Sequence, residues 1–381
     1  MRPFEGKVRF AALRQWMKDP ILTDAPLPDW LPDKQKYLVR YAQAVRPEKA
    51  PSLCLGRICT TMNEFELIAQ YFTRPARSGG SVRLGVGDDC ALLDVPAGET
   101  LAISTDMLVE GRHFFEGTDP EALGHKALAV NLSDLAAMGA APIGFSLALA
   151  LPAADAGWLE GFARGLFGLA DAHGAQLIGG DTTKGPLNIC ITVYGSLPAD
   201  AALRRDAARP GDDIWVSGTL GDARLGLEAL QGKRLLDRTL LRPASTRLHR
   251  PEPRVGLGRA LRGIAHAAID VSDGLMGDLG HILECSRVGA VIDADALPCG
   301  EALSAQEAAL RREFALNGGD DYELCFTAAP EQGAAVQAAA LAAGVRVTRV
   351  GHIVTGNALK VTDGDGHQLD IPGHAFDHFS G

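Results

Sequence analysis

Downstream of residue 62 the chain alternates between short apolar runs and longer stretches whose apolar positions fall three and four residues apart. The short runs predict strands over 100–104, 143–150, 187–195, 213–217, 290–293 and 322–327. The longer stretches predict helices over 120–138, 156–173 and 275–286, preceded by an opening helix over 63–72 behind an Asn63 cap. Gly139 and Gly174 stand just past two of these helices, where left-handed caps belong. This alternation points to an α/β (α+β) architecture rather than a bundle or a sandwich. A boundary is expected within 198–211, where Ala208-Arg209-Pro210-Gly211 precedes the strand of Ile214-Trp215-Val216-Ser217. Two domains follow, 62–198 and 199–381, each of a size to hold its own core. No short repeat period is visible.

Residues 1–61 have a different character. Pro26, Pro28, Pro32, Pro47 and Pro51 interrupt any long helix there. The segment is expected to be a poorly ordered appendage or a misassigned start, with Met62 as the functional one; an ordered extension is the alternative.

With 381 residues, 46% apolar and 22% charged, the composition is that of an ordinary globular protein. The formal charge of -10 disfavours nucleic acid and anionic membranes as partners, and it means that an anionic substrate needs local cations to approach. Seven cysteines with no Cys-x-x-Cys pair suggest neither a disulfide framework nor a zinc knuckle. The first twenty residues contain no signal-like apolar core, and runs such as 145–151 are far short of a membrane span. A cytoplasmic protein is expected.

Candidate chemistry is concentrated in aspartates beside glycines and hydroxyls: Gly87-Asp88-Asp89, Ser104-Thr105-Asp106, Ser133-Asp134, Gly179-Gly180-Asp181 and Asp270-Val271-Ser272-Asp273. Oxygen ligands of this kind suit hard divalent cations that hold polyphosphates. Each motif also has a plainer reading. Asp88-Asp89 serves equally as an Asx turn, and Ser104-Thr105-Asp106, expected at a strand end, as a cap. Asn131 and Asp134 share a helix face, where a metal or Lys126 satisfies the carboxylate. Gly179-Gly180-Asp181 is expected to form a turn that lets backbone approach a ligand. Gly318-Gly319-Asp320-Asp321 precedes a strand in the same way, and Arg204-Arg205 offers either a phosphate contact or an ordinary surface pair. The chain contains neither a Walker loop nor a Rossmann fingerprint.

In order, Leu101-Ala-Ile-Ser-Thr-Asp106, Lys126-Ala-Leu-Ala-Val-Asn-Leu-Ser-Asp-Leu-Ala-Ala-Met-Gly139, Leu177-Ile-Gly-Gly-Asp-Thr-Thr183, Ile269-Asp-Val-Ser-Asp-Gly-Leu275 and Gly318-Gly-Asp-Asp-Tyr-Glu-Leu324 resemble the thiamine-monophosphate kinase family. That family lies within the aminoimidazole-ribonucleotide-synthetase-like ATP-binding superfamily, and the match runs from Met62 nearly to the C-terminus. The resemblance implies a two-domain fold whose N-terminal sheet dimerises. It also implies phosphoryl transfer from ATP to thiamine monophosphate with several Mg²⁺ ions. By that resemblance Asp89, Ser104, Thr105, Asp106, Asp134, Asp181, Asp270 and Asp273 hold metal. Gly180, Asp181, Arg205 and Ser272 contact ATP, and His113, Asp320 and Phe376 contact thiamine monophosphate. No general base is implied. Two positions depart from the family pattern: Asp320 stands where glutamate is usual, and Ala375 replaces the glycine before the aromatic Phe376. The rival readings are another enzyme of the superfamily, such as selenophosphate synthetase, and a noncatalytic nucleotide-binding protein. Selenophosphate synthetase calls for a reactive Cys in an early glycine-rich loop, which the N-terminal segment does not show.

Overall fold

The computed structural model describes residues 64–74 and 80–371. The expectations for residues 1–61, for the Asn63 cap and for Phe376 lie outside the described residues. The expected opening helix is present as α1 (Glu64–Leu67) followed by a π-helical turn over Ile68–Phe72. Strands β1 (Val82–Leu84) and β2 (Leu92–Leu93) then pair antiparallel on either side of the Gly87-Asp88-Asp89 turn.

A four-stranded sheet follows, built from β3 (Glu99–Val109), β4 (Ala141–Leu151), β5 (Gln176–Lys184) and β6 (Asn188–Pro198) in the order β3-β6-β4-β5. Only the β4–β5 pair is parallel. Helices α2 (Pro120–Ala137) and α3 (Ala156–His173) share one core with Phe145, Leu147, Leu149, Ile189, Ile191 and Val193 of the sheet. Asp119 caps α2 through Ala122 N–H at 2.9 Å, and Asp155 caps α3 through Trp158 N–H at 2.8 Å. Gly139 and Gly174 take φ of 70° and 72°, the left-handed caps expected there.

Glycines let α2 and α3 touch closely. A Cβ on Gly165 would strike the Glu121 carbonyl, and one on Gly124 the Phe162 carbonyl. Alanine is intrinsically about 1 kcal/mol better than glycine in a helix, but forcing apart a packed backbone contact costs typically 1–3 kcal/mol or more. Gly165→Ala is therefore expected to lower stability by about 1–2 kcal/mol, read as a lower denaturation midpoint; a more stable variant would contradict this packing.

The second sheet has seven strands, with the order β13-β12-β9-β11-β7-β10-β8. In chain order its part of the molecule runs β7 (Asp213–Ser217), α4 (Asp222–Leu230), α5 (Arg238–His249), α6 (Val255–Ala260), β8 (Ala267–Val271) and α7 (Leu275–Ser286). It continues with β9 (Gly289–Asp293), α8 (Glu301–Ser304), α9 (Ala308–Asn317), β10 (Glu323–Ala328), α10 (Gly333–Ala342), β11 (Val347–Val354), β12 (Leu359–Thr362) and β13 (Gln368–Leu369). One face of this sheet packs on α7 and α9 in a core of its own. The other face joins the core of α2 and the first sheet through residues such as Leu257, Leu261, Leu324 and Phe326. Helix α2 is consequently buried nearly all round, since it serves both halves.

Two expectations need correction. Ser104-Thr105-Asp106 does not end its strand but sits within β3. Gly179-Gly180-Asp181 is not a turn, because β5 runs through it beside β4. Gly180 takes φ 149°, and a Cβ there would collide with the Leu147 backbone. Its glycine character answers to a neighbouring strand.

Candidate active site

The polar residues of α2 are explained by what they meet. Ser104 Oγ donates to Asp134 Oδ2 at 2.5 Å, and Asp106 N–H donates to Asn131 Oδ1 at 3.0 Å. Asn131 in turn donates to the Ala127 carbonyl at 3.0 Å. These bonds join β3 to α2. Towards the second half, Ser133 Oγ donates to Asp270 Oδ2 at 2.8 Å, and Lys126 Nζ pairs with Asp320 Oδ1 at 2.7 Å. Lys126 therefore pairs with a carboxylate 194 positions away rather than with Asp134.

Two turns of the C-terminal half complete the site. The Ser272-Asp273 turn is held by Asp278 in the first turn of α7, whose Oδ2 accepts from the N–H groups of both residues at 3.0 Å. The 318–322 loop lies against it: Asp320 N–H donates to Ser272 O and Tyr322 N–H to Val271 O, each at 2.8 Å. Asp320 and Tyr322 adopt left-handed backbone, φ 68° and 52°. Such conformations are costly for side-chain-bearing residues and persist where surrounding contacts impose them. Behind the loop, Glu323 is fully buried and takes two bonds of 2.6 Å from Arg254, one of 2.9 Å from Arg247 and one of 2.6 Å from Ser217 Oγ.

These elements enclose a cavity of about 1440 Å³ between the two halves. Asp106, Asp134, Asp270, Asp273, Ser272 and Asp320 line it together with Lys126 and His113, and Phe114, Phe115, Leu248 and Phe314 supply apolar wall. Burial, then the charges of Asp134 and Asp273, push the Asp106 carboxyl up to about 6. Burial, with Asp134 beside it, raises Asp270 to about 7 even though Ser133 donates to it. Burial also raises Asp134, and it raises Asp278 to about 7 against its backbone bonds. Burial and neighbouring carboxylates both favour the protonated acid, a preference that a bound cation would reverse. His113 Nδ1 accepts from Val109 N–H at 3.0 Å, which leaves the proton of the neutral ring on Nε2.

The other expected site residues lie elsewhere. Thr105 faces the opposite side of the sheet, where its hydroxyl meets that of Thr192 at 2.8 Å. Asp181 shares a cross-strand row with Ala148, Cys190 and Met107, on that same far side. Gly180, Asp89 and Arg205 are absent from the cavity wall, although Arg205 is close enough for its charge to act on Asp134. The residues that the motifs did not single out are Asp278, whose spacing from Asp273 on a helix start was the available signal, and Arg247 and Arg254, for which no local signal existed.

Models of the AIR synthase related protein match this chain over residues 87–197 for the N-terminal domain and 209–364 for the C-terminal domain. Fold and cleft together thus define a two-domain protein of the AIR synthase related class. The chain is 48% identical over 321 residues to the thiamine-monophosphate kinase of Salmonella typhimurium, an alignment covering 83% of this chain and 98% of that protein. The thiamine-monophosphate kinase of Escherichia coli K12 is 48% identical over 323 residues, with the same coverage. The chain belongs to the thiamine-monophosphate kinase family. A crystal structure of thiamine-monophosphate kinase from Stenotrophomonas maltophilia K279a matches with a TM-score of 0.72 and 48% identity, covering 77% of this chain and 93% of that one. AaThiL complexed with AMPPCP and TMP matches with a TM-score of 0.66 and 31% identity, over 77% of this chain and 92% of that one. Among the described residues no helix is long and apolar enough to cross a membrane.

Proposed function

We propose that the chain transfers the terminal phosphoryl group of ATP to thiamine monophosphate, giving thiamine diphosphate and ADP. The observation that carries this reading is the oxygen-only acidic cluster at the junction of the two halves, in a chain so similar to known thiamine-monophosphate kinases. The acceptor is a phosphate oxygen already ionised near neutral pH, so neither a general base nor a covalent nucleophile is needed. The task is to place two anions together: unit charges about 4 Å apart repel by about 4 kcal/mol at an effective dielectric near 20. The cavity exceeds an ordinary single-ligand pocket and so has room for both substrates. The complex of AaThiL with AMPPCP and TMP supports that pair of ligands.

Asp106, Asp134, Asp270 and Asp273, with Ser104 bonded to Asp134, fit Mg²⁺ because all offer oxygen, and burial with neighbouring carboxylates holds Asp106 and Asp270 above the usual range, which a bound cation would reverse. Magnesium bound there supplies neutralisation of phosphate charge. The remaining work is done by the chain itself. The Ser272-Asp273 turn, fixed by Asp278, and the 318–322 loop orient the ligands; His113 Nε2 donates towards a phosphate oxygen; Asp320 faces the thiamine side, with Lys126 holding it. The decisive assay supplies ATP, Mg²⁺ and thiamine monophosphate and measures thiamine diphosphate and ADP by chromatography. Nucleotide binding without turnover would overturn the reading.

We also infer a homodimer, formed through the face of the first sheet that carries no helix. Ile103 and Met107 are 58% and 52% exposed on outward positions of β3, on either side of Thr105. Light scattering should give twice the chain mass for the wild type and a monomer for Ile103→Asp/Met107→Asp; a monomeric wild type would refute the inference. A cytoplasmic location agrees with the five free cysteines among the described residues.

A further inference from the structure

A second concavity, of about 640 Å³, opens on the C-terminal half between α5, α8 and the start of β11, and shares no lining residue with the main cavity. Arg242, Arg247 and Arg346 line it, with hydroxyls from Thr219, Thr246 and Ser304. Elsewhere in the fold guanidinium groups are commonly matched with carboxylates, as in Arg164–Glu121, Arg234–Glu228, Arg312–Asp295 and Arg349–Asp213. Arg242 and Arg346 make no such pair among the described residues, and both are exposed. Arg247 differs from them: its side chain is 18% exposed, and Nη2 is held by Glu323 Oε1 at 2.9 Å and by the Asp321 carbonyl at 3.1 Å. Its Nε is nevertheless buried without an acceptor. A buried donor left unmatched is costly, and an acceptor that reached it would relieve that cost.

The acids of this concavity do not cancel its charge. Asp222 is buried and turned to the backbone of α8, accepting from Leu303 N–H at 2.7 Å, and burial raises its carboxyl above the usual range. Glu301 stands exposed. Three guanidinium groups against two carboxylates leave the lining cationic, in a protein of formal charge -10. Guanidinium forks beside hydroxyls match the oxygens of phosphate groups in geometry and charge, and the volume is that of a small-molecule site.

We propose that this concavity is a second binding site, distinct from the main cleft, for a small phosphate-bearing anion. Its floor is not isolated from that cleft. Arg247 donates to the carbonyl of Asp321, the neighbour of Asp320, so a ligand on Arg247 would act through it on the same loop that lines the main cavity.

Calorimetric titration of the full chain with inorganic phosphate, with diphosphate and with ADP, all in chelator, tests the proposal, since without divalent cations the crowded carboxylates of the main cleft repel anions. The wild type should bind at least one of the three at a single site, and the pattern tells a phosphate requirement from a nucleotide one. Arg242→Ala/Arg346→Ala should weaken that binding by about a hundredfold, or about tenfold for each charged contact removed. Asp106→Asn, in the main cleft, should leave it unchanged. Both replaced arginines are exposed, and an unaltered unfolding transition verifies the fold; Arg346→Gln alone is the milder variant if the double one misfolds. Absence of binding by the wild type, binding undiminished in the arginine variants, or loss in Asp106→Asn would each overturn the proposal.

Discussion

Asp106→Asn is expected to reduce turnover by a factor of about 10² to 10³ while leaving the protein folded and, without divalent cations, more stable near neutral pH. Asparagine keeps the size of the side chain, and the backbone bond from Asp106 N–H to Asn131 is untouched. What disappears is one negative charge from a wall shared with Asp134, Asp270 and Asp273. In the folded metal-free chain Asp106 titrates at about 6 and Asp270 at about 7, against 3.8 for an ordinary aspartate. Between roughly pH 4 and pH 7 the native state therefore holds protons that the unfolded chain has released. Metal-free stability should fall as pH rises through that window, and Asp106→Asn should flatten the fall. Added Mg²⁺ should restore the wild type more than the variant. Thermal melts at pH 5 and pH 7.5, with chelator or with Mg²⁺, read the stability and steady-state assays the turnover. Wild-type turnover in the variant, or metal-free stability that rises with pH, would remove the cation reading of this wall.

The second large effect concerns the pair between Lys126 and Asp320, in which the lysine side chain is 3% exposed and the aspartate 31%. That asymmetry decides which single change does more harm. Asp320→Ala strands a buried ammonium, and breaking a buried pair from one side costs about 3–5 kcal/mol. Lys126→Met strands a carboxylate that water already reaches and puts a similar apolar stem in the lysine's place, so a loss of about 1 kcal/mol is expected. The double variant should lie nearer to Lys126→Met than to Asp320→Ala, the signature of a coupled pair in a double-mutant cycle. Denaturant midpoints check the ordering. In kinetics Lys126→Met should raise the KM for thiamine monophosphate more than it lowers kcat, because the carboxylate that it steadies loses its orientation. Equal destabilisation by the two single changes would mean that the buried ammonium has another partner.

Much of the first half was legible because its signals are local. Apolar spacing and the glycines at 139 and 174 each act within a few residues, and α2 and α3 appear where that spacing puts them. The aspartates of the cleft could be named individually for the same reason. Pairings were less accessible. Lys126 lies one helical face from Asp134 in sequence, yet its partner is set by how the two halves dock. The stretch around Gly180 looks like a turn because glycines and an aspartate usually mean one; here the missing side chains admit the backbone of β4. Helices α4, α5, α6, α9 and α10 were missed where arginine-rich, proline-bearing or alanine-rich stretches blur the apolar stripe, as in α5, which carries Pro243 inside it. Strand β11 escaped because Arg349, Gly351 and His352 interrupt its apolar alternation, where its register also shifts, and β12 because four residues carry little periodicity.

Helix α2 holds β3 through Asn131 and Asp134 and the other half through Lys126 and Ser133, all within one 18-residue rod. A hinge motion that parted the two halves would have to break the bonds at Asp270 and Asp320 and uncover the apolar surface of that rod in the same stroke. A ligand that reached the acidic floor without that rupture would pass the rim of the cleft, formed by Gly111 to Phe115 and by Asp370 and Ile371. The cleft is built like a jar, with a fixed floor beneath a rim, rather than like a book on a hinge.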